Sequence, residues 1–323
     1  MQLRPLGRAG LLVSRLALGT MTWGRDTDAD EAAAQLKTFI DAGGNLLDTA
    51  DVYADGDAEE VIGTLLDGLV PRDDLLIATK AGLRPGMDKF LDSSRGHLLK
   101  ALDASLRRLG IDHVDIWQVH GYDAETRMEE TLSALDYAVT SGRVRYVGVS
   151  NFAGWQTAQA ATWQSAWPGR APIVSAQVEY SLLERGIERE VLPACAAFGL
   201  GVLPWSPLGR GVLTGKYRHG RPADSRGASP HLEPFVRPYL DPRCSSIVES
   251  VVTAAQGLGV SPVEVALAWV RDRPGVVAPV LGARTVGQLL GALASEDITL
   301  PDEISMALSD VSSIEHGYPE RQS

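Results

Sequence analysis

Three short apolar runs near the start of the chain each stop at an ionisable side chain. Asn45-Leu46-Leu47-Asp48 stops at a carboxylate, and Tyr53 follows within a loop. Leu75-Leu76-Ile77-Ala78-Thr79-Lys80 stops at an ammonium, and Val114-Asp115-Ile116-Trp117-Gln118-Val119-His120 stops at an imidazole. If these runs are parallel neighbouring strands, Asp48, Tyr53, Lys80 and His120 meet at one end of a sheet. Such a group suits proton transfer. A free tyrosine has a pKa of about 10, too high for an efficient acid at neutral pH. A nearby ammonium favours the phenolate and lowers that value. Lys80 would supply the charge, Asp48 would hold Lys80, and His120 would hydrogen-bond the oxygen that Tyr53 protonates. No Ser-His-Asp spacing points to acyl transfer, and with His120 alone among the candidates no metal site is expected. The four residues fit an oxygen that gains negative charge, such as a carbonyl receiving hydride. Side chains do not donate hydride, so a cofactor is implied. Taken singly, each residue has a plainer reading: a capping carboxylate, a surface lysine, a rim histidine, an ordinary tyrosine. Their joint placement is what carries the chemistry.

The elements that must position them alternate. Residues 2–13 carry Gly7-Arg8-Ala9-Gly10 between apolar pieces, a hairpin signal. A first core strand is expected at 15–20, then a helix from Asp28 to about Asp41, stopped by Gly43-Gly44. Strands follow at 45–50, 75–80, 114–120, 144–150, 173–178, 201–205 and 276–281. Helices are expected near 58–69, 93–109, 126–141, 153–165, 187–198 and 286–295, with extra C-terminal ones at 244–258, 262–271 and 301–312. Parallel strands need long crossovers, usually helical. Eight such strands predict a closed single-domain (β/α)8 TIM barrel over residues 1–323 with an N-terminal β-hairpin. A doubly wound open sheet is the alternative, but Leu18-Gly19-Thr20-Met21-Thr22-Trp23-Gly24 is not its usual glycine fingerprint. Barrel active sites lie at the C-terminal strand ends. Those ends read Asp48, Lys80, His120, Ser150-Asn151, Gln177, Trp205 and Arg284, polar or aromatic at nearly every strand.

Residues 206–243 form a long section rich in glycine and proline that also carries Arg210, Lys216, Arg218, Arg221 and Arg226. A basic, glycine-rich loop in an acidic protein fits a clasp over an anionic ligand. The net charge of −11 argues against nucleic acid or an anionic membrane as the main partner. Two cysteines, Cys195 and Cys244, lie outside any C-x-x-C pattern and read as buried thiols of a reducing compartment. No signal-like or spanning apolar run is present, and a cytoplasmic protein is expected.

The chain also resembles the aldo-keto reductase family over essentially its full length. The pieces that carry the resemblance are Leu18 to Met21, Leu47-Asp48-Thr49-Ala50 with Tyr53, Ala78-Thr79-Lys80, Asp115 to His120, and Gly142 to Phe152. Gln177 to Tyr180, Ser206-Pro207-Leu208-Gly209-Arg210-Gly211 and Gly282-Ala283-Arg284 extend it. The resemblance implies a (β/α)8 barrel, a nicotinamide dinucleotide, usually NADPH (NADP+), and a catalytic tetrad of Asp48, Tyr53, Lys80 and His120 with Tyr53 as acid. It places Ser150, Asn151 and Gln177 on the nicotinamide carboxamide and stacks Trp205 on the ring. It puts Leu208, Gly209, Gly211 and Lys216 around the pyrophosphate, counts Ser206 among the cofactor contacts, and sets Gly282, Arg284 and Gln288 towards the adenosine. Arg284 opens a helix whose backbone N–H groups also favour an anion, so it is expected to hold the 2′-phosphate of NADPH. Relatives commonly carry a Glu-Asn pair where this chain has Gly291-Ala292, so two polar contacts to adenine are missing.

The expected activity is reduction of a small carbonyl substrate, an aldehyde or ketone. Two alternatives stand beside it. One is an NADPH-binding regulatory module with little turnover, since some relatives act as channel-associated subunits. The other is a glycosidase, which needs two opposed carboxylates; Asp48 and Glu179 are the candidates. Trp23 and Tyr122 are expected to line an aromatic mouth.

Overall fold

Local chemistry sets the element boundaries. The structure is a computed structural model and describes residues 1–318 other than 67, 224, 231 and 316. Residue 67, inside the helix expected near 58–69, and residues 224 and 231, inside the 206–243 section, lie outside the described residues. β1 (Leu3–Pro5) and β2 (Leu12–Ser14) pair antiparallel, Leu3 opposite Ser14, as the hairpin signal requires. β3 (Ala17–Gly19) opens the main sheet and leads to α1 (Ala29–Asp41), where the Asp28 carboxylate accepts the Glu31 N–H. β4 (Leu46–Asp48) leads to α2 (Asp57–Leu66), and β5 (Leu76–Ala81) to α3 (Arg95–Leu109). Ser94 caps the start of α3, and Gly110, at φ 66°, ends it. β6 (Val114–Val119), α4 (Met128–Thr140), β7 (Val144–Ser150), α5 (Gly154–Ser165), β8 (Ile173–Glu179), α6 (Val191–Phe198) and β9 (Gly201–Trp205) continue the alternation.

After β9 come a one-turn helix α7 (Glu233–Val236), α8 (Pro242–Leu258), capped by Asp241, and α9 (Pro262–Arg271), whose start is a Ser261–Glu264 capping box. β10 (Val280–Gly282), α10 (Val286–Leu293) and α11 (Asp302–Val311) complete the described elements.

The sheet runs β10-β3-β4-β5-β6-β7-β8-β9, parallel throughout. Between β9 and β10, Val277 N–H donates to Val202 O at 2.9 Å and Val202 N–H to Gly275 O at 3.0 Å. These bonds close a (β/α)8 barrel. The expected strand 276–281 is therefore divided. Pro279 has no N–H to give; its carbonyl accepts from Ala17 N, so 276–277 lean on β9 and Val280–Gly282 on β3.

Side chains alternate along each strand, and this alternation builds the site. Leu46, Ala78 and Ile116 belong to a buried cluster with Leu6, Ala17 and Leu203 inside the barrel. Two residues further on, the same face presents Asp48, Lys80 and Gln118, and then His120. The lower barrel is thus apolar and the upper barrel polar. Each fully buried aliphatic side chain contributes roughly 1.5–3 kcal/mol. A larger cluster, including Leu36, Phe39, Ile62, Leu102 and Leu135, packs helices against the outside of the sheet.

The 206–243 section is less irregular than its composition suggests. Val212, Leu213, Val236 and Tyr239 are buried against α8 and α9 in a cluster of their own. Among the described residues no single helix is long and apolar enough to cross a membrane.

The hairpin seals the lower end. Arg8 N–H donates to Gly199 O at 2.9 Å, and a Cβ on Gly7, at φ +61°, would lie 2.4 Å from that same oxygen. Gly7→Ala therefore combines left-handed strain with a backbone clash. It is expected to destabilise by about 1–3 kcal/mol and lower the melting temperature by several degrees. An unchanged thermal transition would show that the seal gives way at no cost.

Candidate active site

Parallel register brings the strand ends level. Asp48 lies opposite Gly19 and Ala78, Lys80 opposite Gln118, Ser150 opposite Gln177, and Glu179 opposite Trp205. Lys80 is fully enclosed. Its ammonium donates to Asp48 Oδ2 at 2.8 Å, to Thr49 O at 2.7 Å and to the Tyr53 hydroxyl at 3.3 Å. All three donors of the ammonium are thereby used. Burial pulls the Lys80 pKa down, but Asp48 and Tyr53 more than offset this and raise it above the ordinary lysine value. The residue stays charged.

Tyr53 arrives through a tight turn. Its N–H donates to Ala50 O, and Ala54 and Asp55 then take left-handed backbone at φ 49° and 57°. Two consecutive non-glycine residues in that region are strained. The turn leaves Tyr53 half-buried, with its ring centroid 4.9 Å from the Lys80 ammonium. His120 meets the same ring edge-on, with centroids 6.1 Å apart. Burial and the Lys80 charge hold the imidazole pKa well below its ordinary value, so it is neutral at neutral pH.

The phenol departs from expectation. Lys80 does pull its pKa down, yet burial outweighs that pull, and Asp48 adds to burial, so the net shift is upward. The ammonium is shared with Asp48, and its field at the phenol is reduced accordingly. Tyr53 is protonated throughout the neutral range, as a proton donor must be.

The surrounding amides are engaged with one another. Gln177 donates to Asp48 Oδ1 at 2.7 Å. Asn151, at φ 57°, donates to His120 O at 2.9 Å and accepts the Trp205 indole N–H at 3.0 Å. It ties three strand ends together. Ser150 is buried level with Gln177. Trp205 is half-buried at the rim, with the Arg210 guanidinium 5.6 Å from its ring.

Trp23 does not line the mouth. It is wholly buried in the outer core, and its indole N–H donates to Gln35 on α1. Tyr122, just past β6, is half-buried and packed edge-on against Phe152 and Trp155 at 5.6 Å each. Trp155, Met87 and Phe90, in segments that follow β7 and β5, are exposed apolar side chains that sequence reasoning passed over. Their position just beyond C-terminal strand ends was the available signal.

The basic section divides by partner. Arg210 grips Glu179 with two bonds, 3.0 and 2.8 Å, and Tyr239 donates to the same carboxylate at 2.8 Å. Glu179 is therefore no free acid for a glycosidase. Arg218 pairs with Glu249, and Arg221 reaches Glu233. Those three arginines fasten the section instead of facing a ligand.

Arg226 is different. Its Nη2 lies 3.2 Å from where a Cβ on Gly282 would sit, beside Arg284. Burial first, and the Arg284 charge second, lower the Arg226 pKa. Asp26 and Tyr217 act on the same guanidinium in the opposite sense. Several N–H groups at the α10 N-terminus are already engaged. Val286 N–H goes to the Glu31 carboxylate, Gln288 N–H to Thr285 Oγ1, and Arg284 N–H to the Gln288 amide oxygen. Gln288 thus serves as a local cap.

Gly211, at φ 92°, faces Lys216, whose ammonium lies 3.3 Å from a Cβ placed there. Gly209, at φ 52°, is constrained from inside, because a Cβ would lie 2.6 Å from Leu183. Ser206 also takes left-handed backbone, and Leu208 packs partly buried against the core. Gly291 is exposed with open space around it, whereas Ala292 is buried in α10. Among the described residues no cluster of His, Cys, Asp and Glu could hold a metal ion.

The model of the aldo/keto reductase family matches residues 15–312. This chain belongs to the aldo/keto reductase family. It is 38% identical to a probable voltage-gated potassium channel subunit beta of Oryza sativa, over 92% of each chain. It is 37% identical to the uncharacterized oxidoreductase YrpG of Bacillus subtilis, over 95% of this chain and 94% of that one. It is 35% identical to the L-glyceraldehyde 3-phosphate reductase of Escherichia coli K12, over 90% and 86%.

In this aldo/keto reductase the buried pair makes a stability prediction. Lys80→Met removes the ammonium and leaves Asp48 charged and enclosed. Breaking a buried pair in this way costs about 3–5 kcal/mol. Urea denaturation should show that loss, and adding Asp48→Leu should restore part of it. A loss below about 1 kcal/mol, as for a solvated surface pair, would show that water reaches Asp48.

Proposed function

We propose that this aldo/keto reductase reduces an aldehyde or ketone to the alcohol using NADPH, with Tyr53 as the proton donor. The observation that carries this reading is the Tyr53 hydroxyl, 3.3 Å from a fully buried ammonium and flanked by a neutral imidazole at the open end of the barrel. A bound nicotinamide dinucleotide would supply the hydride. The residues supply the rest. A carbonyl oxygen held between Tyr53 and His120 would accept the phenolic proton. Lys80 stabilises the phenolate that forms, and Asp48 keeps Lys80 in place. His120, being neutral, donates a hydrogen bond without adding a competing acid.

Residues on this chain fit the cofactor. Trp205 presents a half-buried ring at the rim, with Ser150 and the Gln177 amide oxygen beside the proton-transfer group. Lys216 beside Gly211 offers a cation for a pyrophosphate, and Arg226 with Arg284 offers paired guanidiniums for a 2′-phosphate. The reductases among its relatives support turnover. The rice relative supports a second reading, a cofactor-binding subunit with little activity. A complete set of Asp48, Tyr53, Lys80 and His120 favours the enzyme. The mouth around Tyr122 and Trp155 favours substrates with an apolar body.

Tyr53→Phe keeps the ring and removes the proton. It should lower turnover by about 10²–10⁴-fold while NADPH affinity, read by tryptophan quenching, stays within a few-fold of the original protein. Near-normal turnover in this variant would exclude Tyr53 as the acid, and no turnover by the original protein with a panel of aldehydes would favour the subunit reading.

Cofactor choice is separately testable. Arg284→Ala and Arg226→Ala should each weaken NADPH binding by about 10- to 100-fold, from charge-assisted bonds of roughly 1.5–3 kcal/mol, with little change for NADH. Equal losses for both cofactors would move these arginines away from the 2′-phosphate.

A further inference from the structure

Asp51 lies in the turn between β4 and Tyr53 and has no part in the proton transfer described above. Its N–H donates to Lys80 O at 3.1 Å, which fixes it against β5. The residue is half-buried, but Oδ1 is completely enclosed and has no hydrogen-bond partner among the described residues. The charged and titratable groups facing it come from every neighbouring element. Tyr53 shares its turn, Lys80 comes from β5, Glu59 from α2 and Arg108 from α3.

Both cations are already engaged. Arg108 makes two bonds to Glu59 Oε2, at 2.9 and 2.6 Å, while Thr79 donates to Glu59 Oε1 at 2.6 Å. Lys80 has all three donors in use. Asp51 is therefore an enclosed carboxyl oxygen beside a second, fully buried carboxylate. Burying a charged oxygen without a partner is unfavourable, and a like charge nearby adds to that. Burial first and Glu59 second raise the Asp51 pKa to about 7, against a smaller opposing pull from Arg108, Lys80 and the Val52 N–H.

We propose that Asp51 is a positioning residue that acts on Tyr53 and Lys80, making the phenol a stronger acid when the Asp51 carboxyl is neutral and a weaker one when it is charged. The sign follows from charge. A negative Asp51 raises the Tyr53 pKa, in the same direction as Asp48 and more weakly. It opposes the phenolate that develops when Tyr53 gives up its proton. A neutral Asp51 leaves Lys80 balanced by Asp48 alone. Reduction should thus be faster below the Asp51 pKa and slower above it. This effect rests on the carbonyl reduction proposed above, but the coupling between the two side chains does not.

The test has two arms. In the first, carboxyl and Tyr Cζ carbon shifts are followed by NMR in the protein without cofactor, across about pH 5 to 9. The Asp51 carboxyl should titrate near neutrality, and Tyr53 Cζ should follow with the same midpoint. In Asp51→Asn, an isostere, the Tyr53 response should disappear. An Asp51 midpoint near the ordinary carboxylate value of about 4, or a Tyr53 signal indifferent to Asp51, would overturn the proposal even if the variant fails to fold. In the second arm, single-turnover reduction is measured over the same range. The original protein should slow by about two- to tenfold as pH rises through Asp51 ionisation, and Asp51→Asn should lose that limb. An identical limb in the variant overturns the proposal. Absence of reduction in the original protein would count against the enzyme reading, while the first arm still decides on Asp51.

Discussion

The enclosed ammonium of Lys80 is the constraint on which the upper barrel depends. A lysine taken wholly out of water must be paired and have its donors satisfied, or lose its proton. Here Asp48, Thr49 O and the Tyr53 hydroxyl take all three donors. Each demand passes outwards. Asp48 has a second oxygen, and Gln177 on the far side of the barrel donates to it. Tyr53 must reach over the strand ends, so the chain accepts left-handed backbone at Ala54 and Asp55. One buried charge thereby links β4, β5 and β8 with the turn after β4.

The barrel makes this arrangement attainable. Parallel strands end at a common level, and the two-residue period converts an apolar residue at one layer into a polar one at the next. Leu46 becomes Asp48, Ala78 becomes Lys80, and Ile116 becomes Gln118 and then His120. The apolar layer below, with the hairpin seal on Gly199, excludes water from beneath the ammonium. The desolvation that makes Lys80 demanding also strengthens its hold on Tyr53.

Much of this was legible in the sequence because it is periodic. Strand ends at Asp48, Lys80, His120 and Gln177 follow from apolar runs stopping at polar residues. The helices follow from caps such as Asp28, Ser94 and Ser261 and stops such as Gly110. What escaped was whatever depends on partners distant along the chain. Arg210 read as a basic clasp residue, yet Glu179, 31 positions earlier, takes its guanidinium. Trp23 read as an aromatic at the mouth, yet its loop folds inward and Gln35 takes its N–H. The N-terminus of α10 read as an anion site, yet Glu31 from α1 already supplies the anion. The direction of the Tyr53 shift escaped for the same reason. A nearby ammonium was evident from Lys80, but how far Asp48 and burial would offset it depends on the packed geometry.

These engaged groups divide the strand-end face into two electrostatic regions. Around Lys80 the charges nearly balance: Asp48 answers the ammonium, His120 is neutral, and Arg108 answers Glu59. Around the end of β10, Arg226 and Arg284 stand close enough for one to depress the other. A region of near balance suits proton transfer, because a small change in charge there alters the phenol. The guanidinium pair is a region of excess positive charge, tempered by the Asp26 carboxylate that also acts on Arg226. The protein carries a net charge of −11, so such a pair of cations is conspicuous against its surroundings and would draw an anion by its local field. The two regions are built from different strand ends, β4 to β6 for the first and β10 for the second, so a charge at one edge need not be a charge on the tyrosine.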